Sequence, residues 1–329
     1  MLAVTRRFFG KITASGVVAM LPISSTSAKE TSGLPAGACD CHVHIVGPSA
    51  QFPMSPQRAY TPPEASVADL IAMRERLGIA RNVLIQPSFY GTDNRCMLEA
   101  MAQLGGSARG VAVVAPDIDA SELAKLDAQG VRGIRMNLES GENRDPKAAG
   151  AALDEFAKRI RHLGWHIQIY AALPVIAAIA DRIAALPVDV VIDHFGLAQA
   201  RDGIDQPGFA ALLDLVGASK SSNNKSSANK ASANKAYVKL SAPYRISQGS
   251  GHADVAPIAR ALIAAGPDRM LWASDWPHTD RVPGRRPIDI HPFRTIDDSA
   301  TLALLRQWCG DETIARTILV ETPARLYGF

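Results

Sequence analysis

Three histidines and one aspartate stand where apolar runs end. His42 and His44 flank one residue in Asp40-Cys41-His42-Val43-His44, His194 closes Val190-Val191-Ile192-Asp193-His194, and Asp275 follows Trp272-Ala273-Ser274. On an extended strand alternate side chains share a face, so His42 and His44, with Asp40 before them, are expected to point the same way. Imidazoles gathered at a carboxylate can polarise a carbonyl, hold one divalent ion, or stabilise an oxyanion while the carboxylate takes a proton from water. A satisfied core histidine is the ordinary reading of any one of them. Two on one strand face, with a third and a carboxylate at other run ends, favour a site.

Arginines indicate the class of molecule such a site would hold. Arg132 and Arg135 lie in one strand-like run, and Arg245 follows another in Ser241-Ala242-Pro243-Tyr244-Arg245. A guanidinium offers a planar fork that matches a carboxylate. Strand alternation sets Arg132 and Arg135 on opposite faces, and Arg135, nearer the run's C-terminal end, is expected in the pocket. Arg132 is left between a substrate contact and a salt bridge outside the barrel.

The elements needed to hold these residues recur along the chain. Runs rich in β-branched and apolar residues lie near Cys39–Ile45, Asn82–Gln86, Gly110–Val114, Val131–Met136, Trp165–Tyr170, Asp189–Asp193, Tyr237–Leu240 and Arg269–Ala273. Helical periodicity fills the intervals at Ser66–Leu77, Ser121–Ala128, Ala148–His162, Val175–Leu186 and Val255–Ala264. Eight strand-like runs alternating with helical stretches predict an α/β fold of the (β/α)8 TIM-barrel type, one domain over residues 35–329. A doubly wound open sheet is the alternative, but no glycine-rich phosphate loop follows the first run.

Two segments stand apart. Residues 1–28 carry Arg6-Arg7-Phe8-Phe9, a mildly apolar stretch, and small residues ending Thr26-Ser27-Ala28. They read as a twin-arginine-type export signal, which predicts a periplasmic protein free of the membrane after processing. Residues 219–235 are almost wholly Ser, Asn, Lys and Ala and read as a low-complexity insertion at a surface connection. The formal charge of +3 is matched by Arg6, Arg7 and Lys11 alone. The remainder is near neutral, and with no basic stripe interleaved with aromatics, nucleic acid is not an expected partner. Cys39, Cys41, Cys96 and Cys309 read as buried thiols, with a Cys96–Cys309 disulfide left open.

The opening Asp40–His44, Gln86-Pro87-Ser88-Phe89-Tyr90-Gly91-Thr92-Asp93-Asn94, Arg132-Gly133-Ile134-Arg135-Met136-Asn137, Asp193-His194-Phe195-Gly196 and Ser274-Asp275-Trp276-Pro277-His278 share order and spacing with one family. Together they resemble the amidohydrolase-related branch of 2-pyrone-4,6-dicarboxylate lactonases, sulfomuconolactone hydrolases and galactarolactone isomerases, over nearly all of residues 38–329. The resemblance implies a TIM barrel in which Asp275 is the general base. His42, His44 and His194 would polarise a lactone carbonyl directly or through a metal. It also implies substrate contacts from Arg135, Arg132, Arg245, Ser88, Tyr60, Tyr170 and His278. The last departs from the pyrone-dicarboxylate enzymes, where an amide is expected, and leaves the exact substrate open.

The bridging and fifth-strand ligands of two-metal relatives are missing, so the implied cofactor is none, or one divalent metal, zinc foremost, on His42, His44, His194 and Asp275. The implied activity is hydrolysis of a carboxylated lactone, a small anionic substrate. A mononuclear metal-dependent decarboxylase and a non-catalytic exported barrel that binds a small acid are the alternatives, and homo-oligomerisation is left open.

Overall fold

The apolar runs pair as eight parallel strands in the order of the chain. They are β1 (Cys39–Val43), β2 (Arg81–Ile85), β3 (Ala108–Ala112), β4 (Val131–Asn137), β5 (His166–Tyr170), β6 (Val190–Ile192), β7 (Ala236–Ser241) and β8 (Met270–Ala273). The computed structural model describes residues 1–3, 33–139, 145–217 and 235–329. Residues 4–28 of the expected export segment and residues 219–234 of the low-complexity insertion therefore lie outside the described residues.

Closure of the barrel is made by the residues that follow β1 and β8. The His44 amide donates to the Trp276 carbonyl at 2.9 Å, and the Asp275 amide donates to the His42 carbonyl at 3.1 Å. Backbone bonds at this seam therefore set the histidine pair of β1 beside the carboxylate that follows β8. All eight strands deliver their C-terminal ends to one face, where barrels of this type keep their chemistry.

Helices cover the outside. Val67–Leu77 starts at a capping box in which Ser66 accepts from the Asp69 amide and the Asp69 side chain accepts from the Ser66 amide. Pro146–Ile160 begins on an Asp145 cap with proline in its first turn, and the periodic stretch Val175–Leu186 is two short helices, Leu173–Ala178 and Ala180–Ala185. Leu84, Ile134, Ile169, Val238 and Trp272 face this helical layer. A second buried cluster includes Cys39, Cys41, Val83, Val191, Tyr237 and Leu271, together with Tyr327 from the C-terminal helix Thr322–Tyr327. The barrel interior below the site is thus packed with side chains and is no pore. All four cysteines are free, Cys309 being only partly buried.

One facing differs from the alternation expected on β1. Register against β2 shifts between Asp40 and Val43, and Cys41 joins Cys39 in the inner cluster. Asp40 turns away to β8, where it accepts from the Ser274 amide at 3.0 Å and the Ser274 hydroxyl at 2.5 Å. It also accepts from the His42 amide at 3.2 Å. The irregularity lets His42 and His44 face inward while Asp40 braces the seam.

Candidate active site

Asp275 is the hub. Its Oδ1 lies 3.6 Å from His42 Nε2, 3.8 Å from His44 Nε2 and 3.8 Å from His194 Nε2. Its Oδ2 accepts from Tyr244 Oη at 2.8 Å and from Arg245 Nε and Nη2 at 3.0 and 2.7 Å. One oxygen is therefore fixed and the other is left toward the imidazoles. Burial alone would raise the carboxyl's pKa, but Arg245 outweighs it, joined by the three imidazoles once acid charges them, and the group stays well below its ordinary value.

Each imidazole is oriented by its second nitrogen. His44 Nδ1 sits 2.7 Å from the Ile85 carbonyl, and His194 Nδ1 sits 2.8 Å from Ser241 Oγ. His42 Nδ1 meets Lys239 Nζ at 3.1 Å, while its Nε2 lies 3.2 Å from His44 Nε2. Burial, reinforced by Arg135, lowers the His44 pKa to about 4, and burial likewise lowers His194 to about 4. Burial and then Lys239 push His42 well below its usual value. All three imidazoles are neutral at physiological pH.

A cavity of about 280 Å³ opens on this cluster, bordered by His44, Tyr60, Ser88, Arg135, Tyr170, His194, Arg245 and Asp275. Tyr60 donates to Thr279 Oγ1 at 3.1 Å, and Tyr170 meets the His194 ring edge-on at 5.4 Å between centroids. Arg135 Nη1 donates to the Gln86 carbonyl at 3.3 Å and its Nη2 lies 3.6 Å from Asp193 Oδ2. His42 is fully buried and does not border the cavity; it sits against His44, His194 and Asp275.

Two expected contacts fall elsewhere. Arg132 points out of the barrel and pairs with Asp127 at 3.1 Å, because side chains three apart on a strand take opposite faces. His278 lies off the cavity, its Nε2 3.0 Å from Asp298 Oδ1 and its Nδ1 3.5 Å from Tyr244 Oη, so it backs the tyrosine that holds Asp275. The site also contains residues that the pattern of run ends did not single out: Gln168, Asp193, Lys239 and Tyr244. A lysine within Tyr237-Val238-Lys239-Leu240, in phase with Tyr237, was the available signal.

Backbone strain concentrates here as well. His194 (φ 50°), Phe195 (φ 56°), Ala242 (φ 49°), Asp275 (φ 67°) and His278 (φ 65°) all occupy the left-handed region that costs a residue with a Cβ about 1–2 kcal/mol. Each is at or next to a residue of the site, where the surrounding packing holds a sharp turn after a strand.

The inward histidine pair at the end of β1, the histidine after β6 and the aspartate after β8 agree with a match of residues 39–329 to the Amidohydrolase family. The chain belongs to the amidohydrolase family. This amidohydrolase is 36% identical over 307 residues to a 2-pyrone-4,6-dicarboxylate hydrolase of Comamonas testosteroni, covering 89% of this chain and 91% of the relative. It is 34% identical over 308 residues to a 4-sulfomuconolactone hydrolase of Rhizobium radiobacter, covering 92% and 93%. A solved Pseudomonas putida protein superposes with a TM-score of 0.71 at 31% identity, covering 90% of this chain and 98% of that one.

A single divalent ion is compatible with the donor set of this amidohydrolase. Donor atoms of His42, His44 and Asp275 lie within 4.8 Å of one another, and the 3.2–3.8 Å separations bracket the roughly 3.3 Å edge of a tetrahedron with zinc bonds of about 2.0–2.1 Å. No ligand for a second ion comes from β5, whose inward Gln168 instead donates to Asp193 Oδ2 at 3.0 Å. Surrounding charge works against a dication: Lys239, Arg135 and Arg245 already outnumber the carboxylates Asp193 and Asp275. An added 2+ charge would have to be buried beside carboxylates that already serve Lys239, Arg135 and Arg245.

Proposed function

We propose that this amidohydrolase opens a carboxylated lactone of the 2-pyrone-4,6-dicarboxylate kind by hydrolysis. The observation that carries the reading is the division of Asp275, with Oδ2 held by Arg245 and Oδ1 free toward neutral imidazoles in an arginine-lined cavity. The anionic lactones named for the relatives from Comamonas testosteroni and Rhizobium radiobacter support it.

Arg135 and Arg245 bind the substrate carboxylates, and Ser88, Tyr60 and Tyr170 shape and hydrogen-bond the ring. A water on Asp275 Oδ1 loses a proton to that carboxylate as its oxygen attacks the lactone carbonyl. His194, which carries its proton on Nε2 when its Nδ1 accepts from the Ser241 hydroxyl, polarises the carbonyl and stabilises the oxyanion together with the Arg135 guanidinium. Collapse breaks the ring C–O bond, and the proton held by Asp275 passes to the leaving oxygen. Substrate carboxylate drawing on Arg245 loosens its grip on Asp275 and strengthens the base at the moment it is needed.

If an ion is bound, His42, His44, His194 and Asp275 hold it, and it supplies Lewis-acid polarisation of the carbonyl. That donor set is also what a mononuclear decarboxylase of the same superfamily would use, and it supports the second reading.

The test is turnover of a panel of carboxylated lactones before and after exhaustive chelation, with Asp275→Asn as control. Ring opening that survives chelation and falls by about 10³-fold or more in Asp275→Asn, with calorimetric binding of an unreactive dicarboxylate retained, is expected. Carbon dioxide release in place of ring opening, lost on chelation, would select the decarboxylase.

A further inference from the structure

Lys239 is a fully buried lysine on β7 that the reaction steps above do not use. Its Nζ donates to Gln168 Oε1 at 2.7 Å and meets His42 Nδ1 at 3.1 Å. Asp193 Oδ1 is 3.3 Å from both Nζ and His42 Nδ1, yet it has no hydrogen-bond partner among the described residues. The carboxylate therefore neutralises the lysine's charge but lies off the direction in which the ring would donate.

Hydrogen placement follows from the partners. The Ile85 carbonyl can only accept, so His44 carries its proton on Nδ1 and offers a lone pair at Nε2. His42 Nε2, 3.2 Å from that lone pair, must then be the donor. A neutral His42 with its proton on Nε2 has a lone pair at Nδ1, where Lys239 donates. The result is one directional chain, Lys239 to His42 to His44 to the Ile85 carbonyl, with every donor matched to an acceptor.

We infer that Lys239 is a positioning residue that keeps the proton of His42 on Nε2, so that this nitrogen donates to His44 and withholds its lone pair from a metal. In the opposite tautomer His42 would turn Nδ1–H toward Asp193 and present Nε2 as a ligand. Two Nε2 lone pairs 3.2 Å apart would then face each other and attract a cation. Lys239 thus sets this amidohydrolase on the side of direct imidazole and arginine catalysis. The catalytic consequence rests on the lactone reading above, whereas the proton placement stands apart from any substrate.

Histidine-labelled nitrogen NMR of the wild-type chain, with cobalt(II) uptake measured by elemental analysis and visible absorption, tests the inference without substrate. The wild type is expected to show His42 protonated at Nε2 and to retain under 0.1 equivalent of cobalt after dialysis, as orders of magnitude for a site lacking one ligand. Lys239→Met is expected to move the proton to Nδ1 and to take up about one equivalent of tetrahedral cobalt. Its lactone kcat should fall by about 10²-fold with KM little changed. Lys239→Gln keeps a donor and should retain the wild-type tautomer and low uptake. A wild-type His42 protonated at Nδ1, stoichiometric cobalt in the wild type, or an unchanged tautomer in folded Lys239→Met would overturn the inference. If Lys239→Met does not fold, the wild-type spectrum alone decides. Absence of lactone turnover with the expected tautomers would instead overturn only the proposed reaction.

Discussion

Arg245 grips one oxygen of Asp275 from two nitrogens, Nη2 at 2.7 Å and Nε at 3.0 Å from Oδ2, while Oδ1 is left facing three imidazoles. The same guanidinium borders the cavity, so it can serve the carboxylate of the protein and that of a substrate in turn. Removing it alters both the charge state of the base and the binding of an anion.

Arg245→Met should therefore move the acidic limb of the pH–rate profile to higher pH. The guanidinium holds the Asp275 pKa down, so without it the carboxylate is protonated, and activity lost, at a less acid pH. We expect kcat/KM at neutral pH to fall by about 10²-fold, largely through KM, and Arg245→Lys to recover part of it because a point charge replaces a fork. An acidic limb that does not move would show that Arg245 has no hold on the base.

Arg135 and Arg132 separate substrate binding from barrel packing. Arg135 is buried beside the cavity, and Arg132 pairs with Asp127 at the opposite end of the barrel. Arg135→Ala should raise KM for a carboxylated lactone by about 10-fold or more, the worth of a charge-assisted hydrogen bond. Arg132→Ala should leave KM within about 2-fold and cost roughly 1 kcal/mol or less of stability, as for other partly exposed pairs. Steady-state kinetics of the two variants side by side decide the matter.

Acid should weaken the fold before it titrates the site. His44 and His194 have pKa values of about 4 and His166 about 3 in the folded chain, all through burial, against 6.5 when exposed. Between pH 6.5 and about 4 the unfolded chain binds protons that the native one refuses, so stability present above 6.5 is lost as pH falls. His44 and His194 each contribute up to roughly 3 kcal/mol and His166 up to roughly 5 kcal/mol. Asp40, raised to about 7 by burial, acts in the opposite sense but is one group against three. A Tm that declines steadily from pH 6.5 to 4 is expected, and a flat profile would mean that these imidazoles are protonated in the native chain.

Much of this site was legible before folding because strand and turn chemistry is local. Three of the eight apolar runs end in histidine or aspartate, and eight runs alternating with helical stretches predict a barrel whose C-terminal ends converge. His42, His44, His194 and Asp275 stand at those ends, and the resemblance to the amidohydrolase family needed the motifs at 86–94 and 132–137 beside them.

Tertiary structure decided what lies behind and between them. Asp40 braces Ser274 because the register slips on β1, and slippage depends on the neighbouring strand, not on the run itself. His278 supports Tyr244 because a left-handed turn carries it away from the cavity. Lys239 and Asp193 were visible as polar residues in or after apolar strands, but their meeting under His42 joins positions 42, 193 and 239. Residue types and spacing determine which groups reach the open end of a barrel, since one strand's periodicity suffices for that. Which nitrogen of an imidazole holds its proton depends on partners from other strands, and only barrel closure brings those within hydrogen-bonding distance.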